Sequence, residues 1–223
     1  MKRMIFAGVA LACGAFVGAA QAADMSPRYA QPQPYLKAPA YPIYNWTGFY
    51  LGLNGGGGWG SSTWDRAGSV DLSGGLIGGT AGFNWQTGQV VLGMEGDVDW
   101  SGMSGTTSTL CPAGCTTQNN WLGTVRGRLG YSFDRFLPYL TGGLAVGDIQ
   151  ASTPGFAGVT QTNLGWTAGA GLEAVIVGNW TAKAEYLHVD LGNFNCGLSC
   201  GLATPDSVSF SANLLRGGLN YRF

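Results

Sequence analysis

Charge is scarce in this chain: Asp, Glu, Lys and Arg make up only 10% of its 223 residues, against about 25% in a soluble domain. The charges nearly cancel, at a formal net of −1, so the basic surface that nucleic-acid binding requires is missing. The pairing of low hydrophobicity with high net charge that marks disordered chains is missing too, since 45% of the residues are hydrophobic. Histidine occurs once, at His188, which leaves little scope for acid–base catalysis. Beyond the N-terminus no apolar run approaches the ~20 residues of a membrane-crossing helix. One long uncharged segment, Ile149 to Leu172, is interrupted by Pro154, by glycines and by Gln, Asn, Ser and Thr. What the chain has instead is 39 glycines, more than twice the usual share of ~7%, and 12% aromatic residues. That mixture offers too little polar surface to coat a water-soluble globule and points to a membrane or fibrous setting.

The N-terminus reads as an export signal over residues 1–22. Lys2 and Arg3 precede an uncharged, mostly apolar stretch from Met4 to Gly18, and Ala20-Gln21-Ala22 supplies a small-x-small site with cleavage expected after Ala22. Residues 23–44 contain Pro27, Pro32, Pro34, Pro39 and Pro42. They are expected to form an extended periplasmic tether, either a plain spacer or a segment that contacts the cell wall or tucks into a barrel mouth. With no helix able to cross, the remainder, 45–223, can enter a membrane only as a closed β-barrel.

Eight stretches in that remainder alternate apolar and polar residues with period two: 46–60, 74–86, 90–100, 120–132, 137–147, 163–175, 180–191 and 208–223. Connections after the second, fourth and sixth are short. Those after the first, third, fifth and seventh are long, leaving loops near 61–73, 101–119, 148–162 and 192–207. Short turns on one rim and long loops on the other describe an eight-stranded antiparallel transmembrane β-barrel with periplasmic turns and extracellular loops. Seven tryptophans, 46, 59, 85, 100, 121, 166 and 180, fall near the proposed strand ends, where interfacial girdles form.

Charge placement sharpens the assignment. Glu95, Asp97, Asp99, Arg126, Arg128, Glu173, Lys183, Glu185, Arg216 and Arg222 all take the parity opposite to their strand's apolar set. Slipping the fourth strand by one residue would turn Arg126 and Arg128 to lipid, at about 2–4 kcal/mol each near the midplane. A narrow eight-stranded interior is filled by side chains, and buried charges require partners. The five acids and five bases therefore predict a salt-bridged plug, with Glu95, Asp97 and Asp99 facing Arg126 and Arg128 across one strand pair. Inward glycines at 78, 82, 93, 165, 169, 171 and 218 fit a crowded lumen. In the seventh stretch the alternation fails after Tyr186, because Leu187 and Val189 take the inward parity; a bulge or an exit from the bilayer is expected there.

Other residues offer little chemistry. Cys111, Cys115, Cys196 and Cys200 form two C-x3-C pairs in long loops, and in an exported protein they predict disulfides. Local pairing, 111–115 and 196–200, is the expected connectivity; pairing across the loops and a four-thiolate metal site are the alternatives. Gly55, Gly57 and Gly60 fit G-x-G-x-x-G in form only, since no helix pattern follows. No cofactor or metal ligand set and no catalytic constellation emerges.

Several stretches resemble the small porin-family barrels known as outer-membrane immunogenic proteins of alphaproteobacteria. They are Trp46-Thr-Gly-Phe-Tyr-Leu-Gly52, Trp121-Leu-Gly-Thr-Val-Arg-Gly-Arg-Leu-Gly-Tyr131, Leu137-Pro-Tyr-Leu-Thr-Gly-Gly143, the run from Asn179 to Gly192 and the ending Arg216-Gly-Gly-Leu-Asn-Tyr-Arg-Phe223. The resemblance covers 46–223 and implies an outer-membrane barrel, related in architecture to the outer membrane protein A transmembrane domain, with antigenic surface loops. Leu219, Tyr221 and the terminal Phe223 resemble the signal read by the barrel assembly machinery. His188 is followed by Val189 and Asp190, so the His–Ser pair of lipid hydrolases resembling the lipid A deacylase is not matched. The expected role is that of a structural or surface-interaction protein, not an enzyme. Its expected partners are membrane lipid and lipopolysaccharide, the assembly machinery and an extracellular ligand or host surface. A weak passive channel for small solutes is the alternative.

Overall fold

A computed structural model of the chain describes residues 44–64, 68–107, 114–152, 159–195 and 207–223. The export signal, the tether ahead of Tyr44, Cys111, Cys196, Cys200 and the side chain of Cys115 lie outside the described residues. Eight antiparallel strands form a closed barrel: β1 (Gly48–Trp64), β2 (Gly68–Thr87), β3 (Val90–Thr107), β4 (Cys115–Tyr131), β5 (Phe136–Ser152), β6 (Val159–Val177), β7 (Trp180–Asn195) and β8 (Ser207–Arg222). Each strand pairs with its sequence neighbours, and β8 returns to β1. Tight turns join β2 to β3 and β6 to β7, where Gly88 (φ 62°) and Gly178 (φ 54°) take the left-handed backbone that a side chain disfavours.

The strands run further outward than the sequence reading allows. Every expected long loop is shorter at the backbone level: β1 and β2 are paired up to Trp64 and Gly68, and β3 reaches Thr107 against β4 at Cys115. The reason is a reversal of polarity along strands whose inward parity does not change. On β8, Arg216 and Asn220 are buried in the lumen while Leu215, Leu219 and Phe223 are exposed. Further out on the same strand the lumen side is Leu214, Ala212, Phe210 and Val208, all buried, and the outer side is Asn213, Ser211, Ser209 and Ser207. β7 repeats the reversal: Leu187, Val189 and Leu191 continue the inward line of Lys183 and Glu185, and all are buried. No bulge occurs where the alternation seems to fail; the β7–β8 register stays continuous to Asp190 and shifts only between Asp190 and Asn193.

The barrel therefore has two stacked cores. Towards the short-turn end the lumen is charged and the outer face apolar. On β3 that outer face runs from Val90 to Trp100, a rise of about 25 Å at ~3.3 Å per residue and a tilt near 40°, which matches the apolar band of an outer-membrane barrel. Beyond it the lumen holds a hydrophobic cluster that includes Val70, Leu76, Met103, Leu122, Ile149, Leu187, Phe210 and Leu214. Trp59, Trp100, Trp121 and Trp166 ring the level where the faces exchange. They sit in mid-strand, not near strand ends, because pairing continues past them.

Candidate functional site

The lumen of the charged half is the most chemically dense region. Alternation on β3 and β4 turns Glu95, Asp97, Asp99, Arg126 and Arg128 inward, and β6, β7 and β8 add Glu173, Lys183, Glu185 and Arg216. Every ion-paired side chain is 3% exposed or less. Arg126 donates to Glu95 at 2.6 Å and Asp97 at 2.7 Å on β3, and reaches across to Glu185 on β7 at 2.7 Å. Lys183 lies 2.9 Å from both oxygens of Glu95 on the opposite wall. Arg216 holds Asp97 at 2.9 Å, Asp99 at 2.6 Å and Glu185 at 3.0 Å. Asp99 is thus paired across the lumen with β8 and not with the arginines of β4, because its neighbour there is Leu122.

Glu95 is the hub. Besides Arg126 and Lys183 it accepts from Arg128 at 3.3 Å and from the Tyr50 hydroxyl at 2.7 Å. Arg128 donates to Glu173 at 2.7 Å and stacks its guanidinium 4.0 Å from the centre of the Tyr139 ring. Glu173 also accepts from Thr181 at 2.5 Å and Asn220 at 2.9 Å. Desolvating a charge costs several kcal/mol, which only multiple short contacts offset; here the carboxylates and guanidiniums supply them to one another. Room for these long side chains comes from inward glycines. A Cβ on Gly82 or Gly171 would collide with the Tyr50 or Tyr139 ring, and one on Gly78 with Asp99.

Arg222 departs from the expected network. It has the inward parity but sits at the inner mouth, its guanidinium 4.3 Å from the Tyr44 ring and 5.8 Å from that of Trp46, and it makes no close ion pair among the described residues. The described network therefore sets five acids against four bases. Trp46, expected in an outer girdle, is instead fully buried beneath the lumen with Val91 and Leu137. Its backbone N–H donates to Gln86 at 2.7 Å and its indole N–H to the Asp134 carbonyl at 3.1 Å, while the Tyr44 N–H donates to the Asp134 carboxylate at 3.1 Å. Only the tertiary fold brings these distant residues together; nothing local in the sequence marks them.

Other candidates are placed as follows. Leu219, Tyr221 and Phe223 lie on the exposed outer face of the last strand, with Tyr221 in ring contact with Trp180 and Phe223. His188 faces outward, its ring centre 5.4 Å from that of Trp166 and its Nδ1 3.0 Å from Asn213 Oδ1. Among the described residues no group of three or more His, Cys, Asp or Glu is placed to hold a metal ion. The site's chemistry is that of a buried, densely ion-paired filling with one acid in excess of the bases.

Comparison with known proteins agrees with this architecture. Residues 9–223 match the family described as outer membrane protein β-barrel domain. The chain is 36% identical to the 31 kDa outer-membrane immunogenic protein of Brucella melitensis biotype 1, over the whole of both chains. It is 35% identical to the 22 kDa outer membrane protein of Rhizobium leguminosarum bv. viciae, over 84% of this chain and 82% of that protein. Among solved structures, Neisserial surface protein A is similar over 79% of this chain and 98% of its own, at 17% identity and a TM-score of 0.46.

Proposed function

The chain belongs to the outer-membrane protein β-barrel family and resides in the outer membrane, and from that premise we propose that it is an occluded scaffold whose role is structural and surface-directed. The observation that carries this reading is the double filling of the lumen. A solute entering from outside meets a dry cluster built on Phe210, Leu214, Ile149 and Leu187. Beneath it lie nine mutually paired charged side chains, and beneath those the buried Trp46. Water-filled conduction needs a continuous hydrated path, and dispersing the paired charges would leave each unpaired ion with a penalty of several kcal/mol. The rigid wall supports the outer rim, from which any partner recognition proceeds. No step of catalysis is assigned to any residue.

Single-channel recording on purified protein in planar bilayers tests the reading. The expected record is a closed baseline, unchanged when Arg126 or Glu95 is neutralised. Steady, sizeable conductance that shifts with either substitution overturns the occluded scaffold and makes the protein a weak passive channel.

A further inference from the structure

From the level where the faces exchange outward, four adjacent strands carry an ordered polar and aromatic surface. His188 on β7, Asn213 on β8, Trp59 on β1 and Ser73 on β2 are directly paired neighbours. One step further out Asp190, Ser211, Ser61 and Asp71 form a second row in the same register. At the centre, Asn213 Oδ1 accepts from the Tyr186 hydroxyl at 2.7 Å and lies 3.0 Å from His188 Nδ1. Both contacts hold the carboxamide by its oxygen, so its NH2 group is presented to the outside. Trp59 is 50% exposed beside it. A groove of about 460 Å³ runs over Trp59, Ser61, Asp71, Ser73, Ser211 and Asn213. The Asp71 carboxylate has no hydrogen-bond partner among the described residues.

The opposite wall shows that this arrangement is not a general property of the rim. There Asp148 is consumed internally: it accepts from the backbone N–H groups of Asn120 and Trp121 at 2.8 and 2.9 Å and from the Asn120 side chain at 2.7 Å, clamping an irregularity in β4. On the β7–β8–β1–β2 side, by contrast, the Asp71 carboxylate, the Asn213 carboxamide and the Trp59 indole line one groove together.

We propose that this groove binds the sugar rings of the outer-leaflet glycolipid. A pyranose offers an apolar C–H face, which suits the Trp59 indole, and a rim of vicinal hydroxyls, which suits Asp71, Asn213 and the serines. The polar groups lining the groove are the Asp71 carboxylate, the Asn213 carboxamide and serine hydroxyls. The groove points sideways from the barrel wall, from the level of the interfacial tryptophans to two residue steps above it, where the sugars of a neighbouring lipid lie. The three strands that line it span two spacings, a width of about 10 Å, about the length of a disaccharide. The proposal deepens the surface-directed role and rests on it; conductance reports the lumen alone, so either reading can fail without the other.

The test titrates the folded protein in detergent with core-bearing lipopolysaccharide, with lipid A stripped of its sugars and with the delipidated core oligosaccharide. Core-bearing glycolipid should bind about tenfold or more tightly than lipid A, as expected from several added hydrogen bonds. Trp59→Ala and Asp71→Asn should each remove most of that difference without changing lipid A binding, while heat-modifiable gel mobility shows that both variants fold. The free oligosaccharide should bind more weakly than the glycolipid. Equal affinity for glycolipid and lipid A, or variants that bind like the parent protein, overturns the site. Oligosaccharide binding as tight as the whole glycolipid overturns its assignment to the leaflet.

Discussion

Along β8, Arg216 faces the lumen and Leu215 the outside, whereas next to them Leu214 and Ala212 face the lumen and Asn213 and Ser211 the outside. The two halves of the barrel share strands, register and inward parity, yet their solvents are exchanged. In the half nearer the short turns, hydrocarbon surrounds the wall, so the only place for charge is within, and the enclosed charges must neutralise one another. In the outer half, water surrounds the wall, so the lumen closes as a soluble protein does, by burying Val, Leu, Ile, Met and Phe. The hydrophobic effect supplies about 25 cal/mol per Å² only where the alternative is water. That is why an apolar filling serves the outer half and an ionic one the inner.

The comparison can be broken by substitution. The largest effect is expected for Arg126→Ala, which strips Glu95, Asp97 and Glu185 of a shared cation and should cost about 3–5 kcal/mol in denaturant unfolding from lipid vesicles. Next comes Leu140→Arg on the exposed lower face of β5, expected to cost about 2–4 kcal/mol by the same measurement. Arg222→Gln, which removes the cation over Tyr44, should cost about 0.5–1 kcal/mol. The smallest effect belongs to Gln150→Arg, on the same outward face of β5 as Leu140 but above the tryptophan ring. It should stay within about 0.5 kcal/mol of the parent. Equal costs for arginine at 140 and at 150 would erase the distinction between the halves.

Much of this was legible from residues alone. The eight strands, the short turns and the inward parity of the nine paired charges follow from period-two alternation in which apolar residues mark the lipid side. The same rule hides the outer half. Ser69-Val70-Asp71-Leu72-Ser73 alternates as cleanly as the run after it, but with its apolar residues on the opposite parity, buried in the lumen, so a search for a lipid-facing stripe leaves it in the loop. The clue is a phase flip without a break, as between Leu214 and Leu215 or between Tyr186 and Leu187. Trp46 and Arg222 carry no such clue. Their positions depend on Asp134, Gln86 and Tyr44 converging beneath the lumen, and a tryptophan at a strand start reads equally well as a girdle residue.

The Trp46 contacts also have a mechanical meaning. The chain entering β1 is fastened first to Asp134, in the turn between β4 and β5 on the far side of the ring, and to Gln86 at the end of β2. A pull delivered at Tyr44 is therefore spread across the floor of the cylinder and loads several walls in shear. Without that anchorage the same tension would act on the first strand alone and peel it from β8 one hydrogen bond at a time.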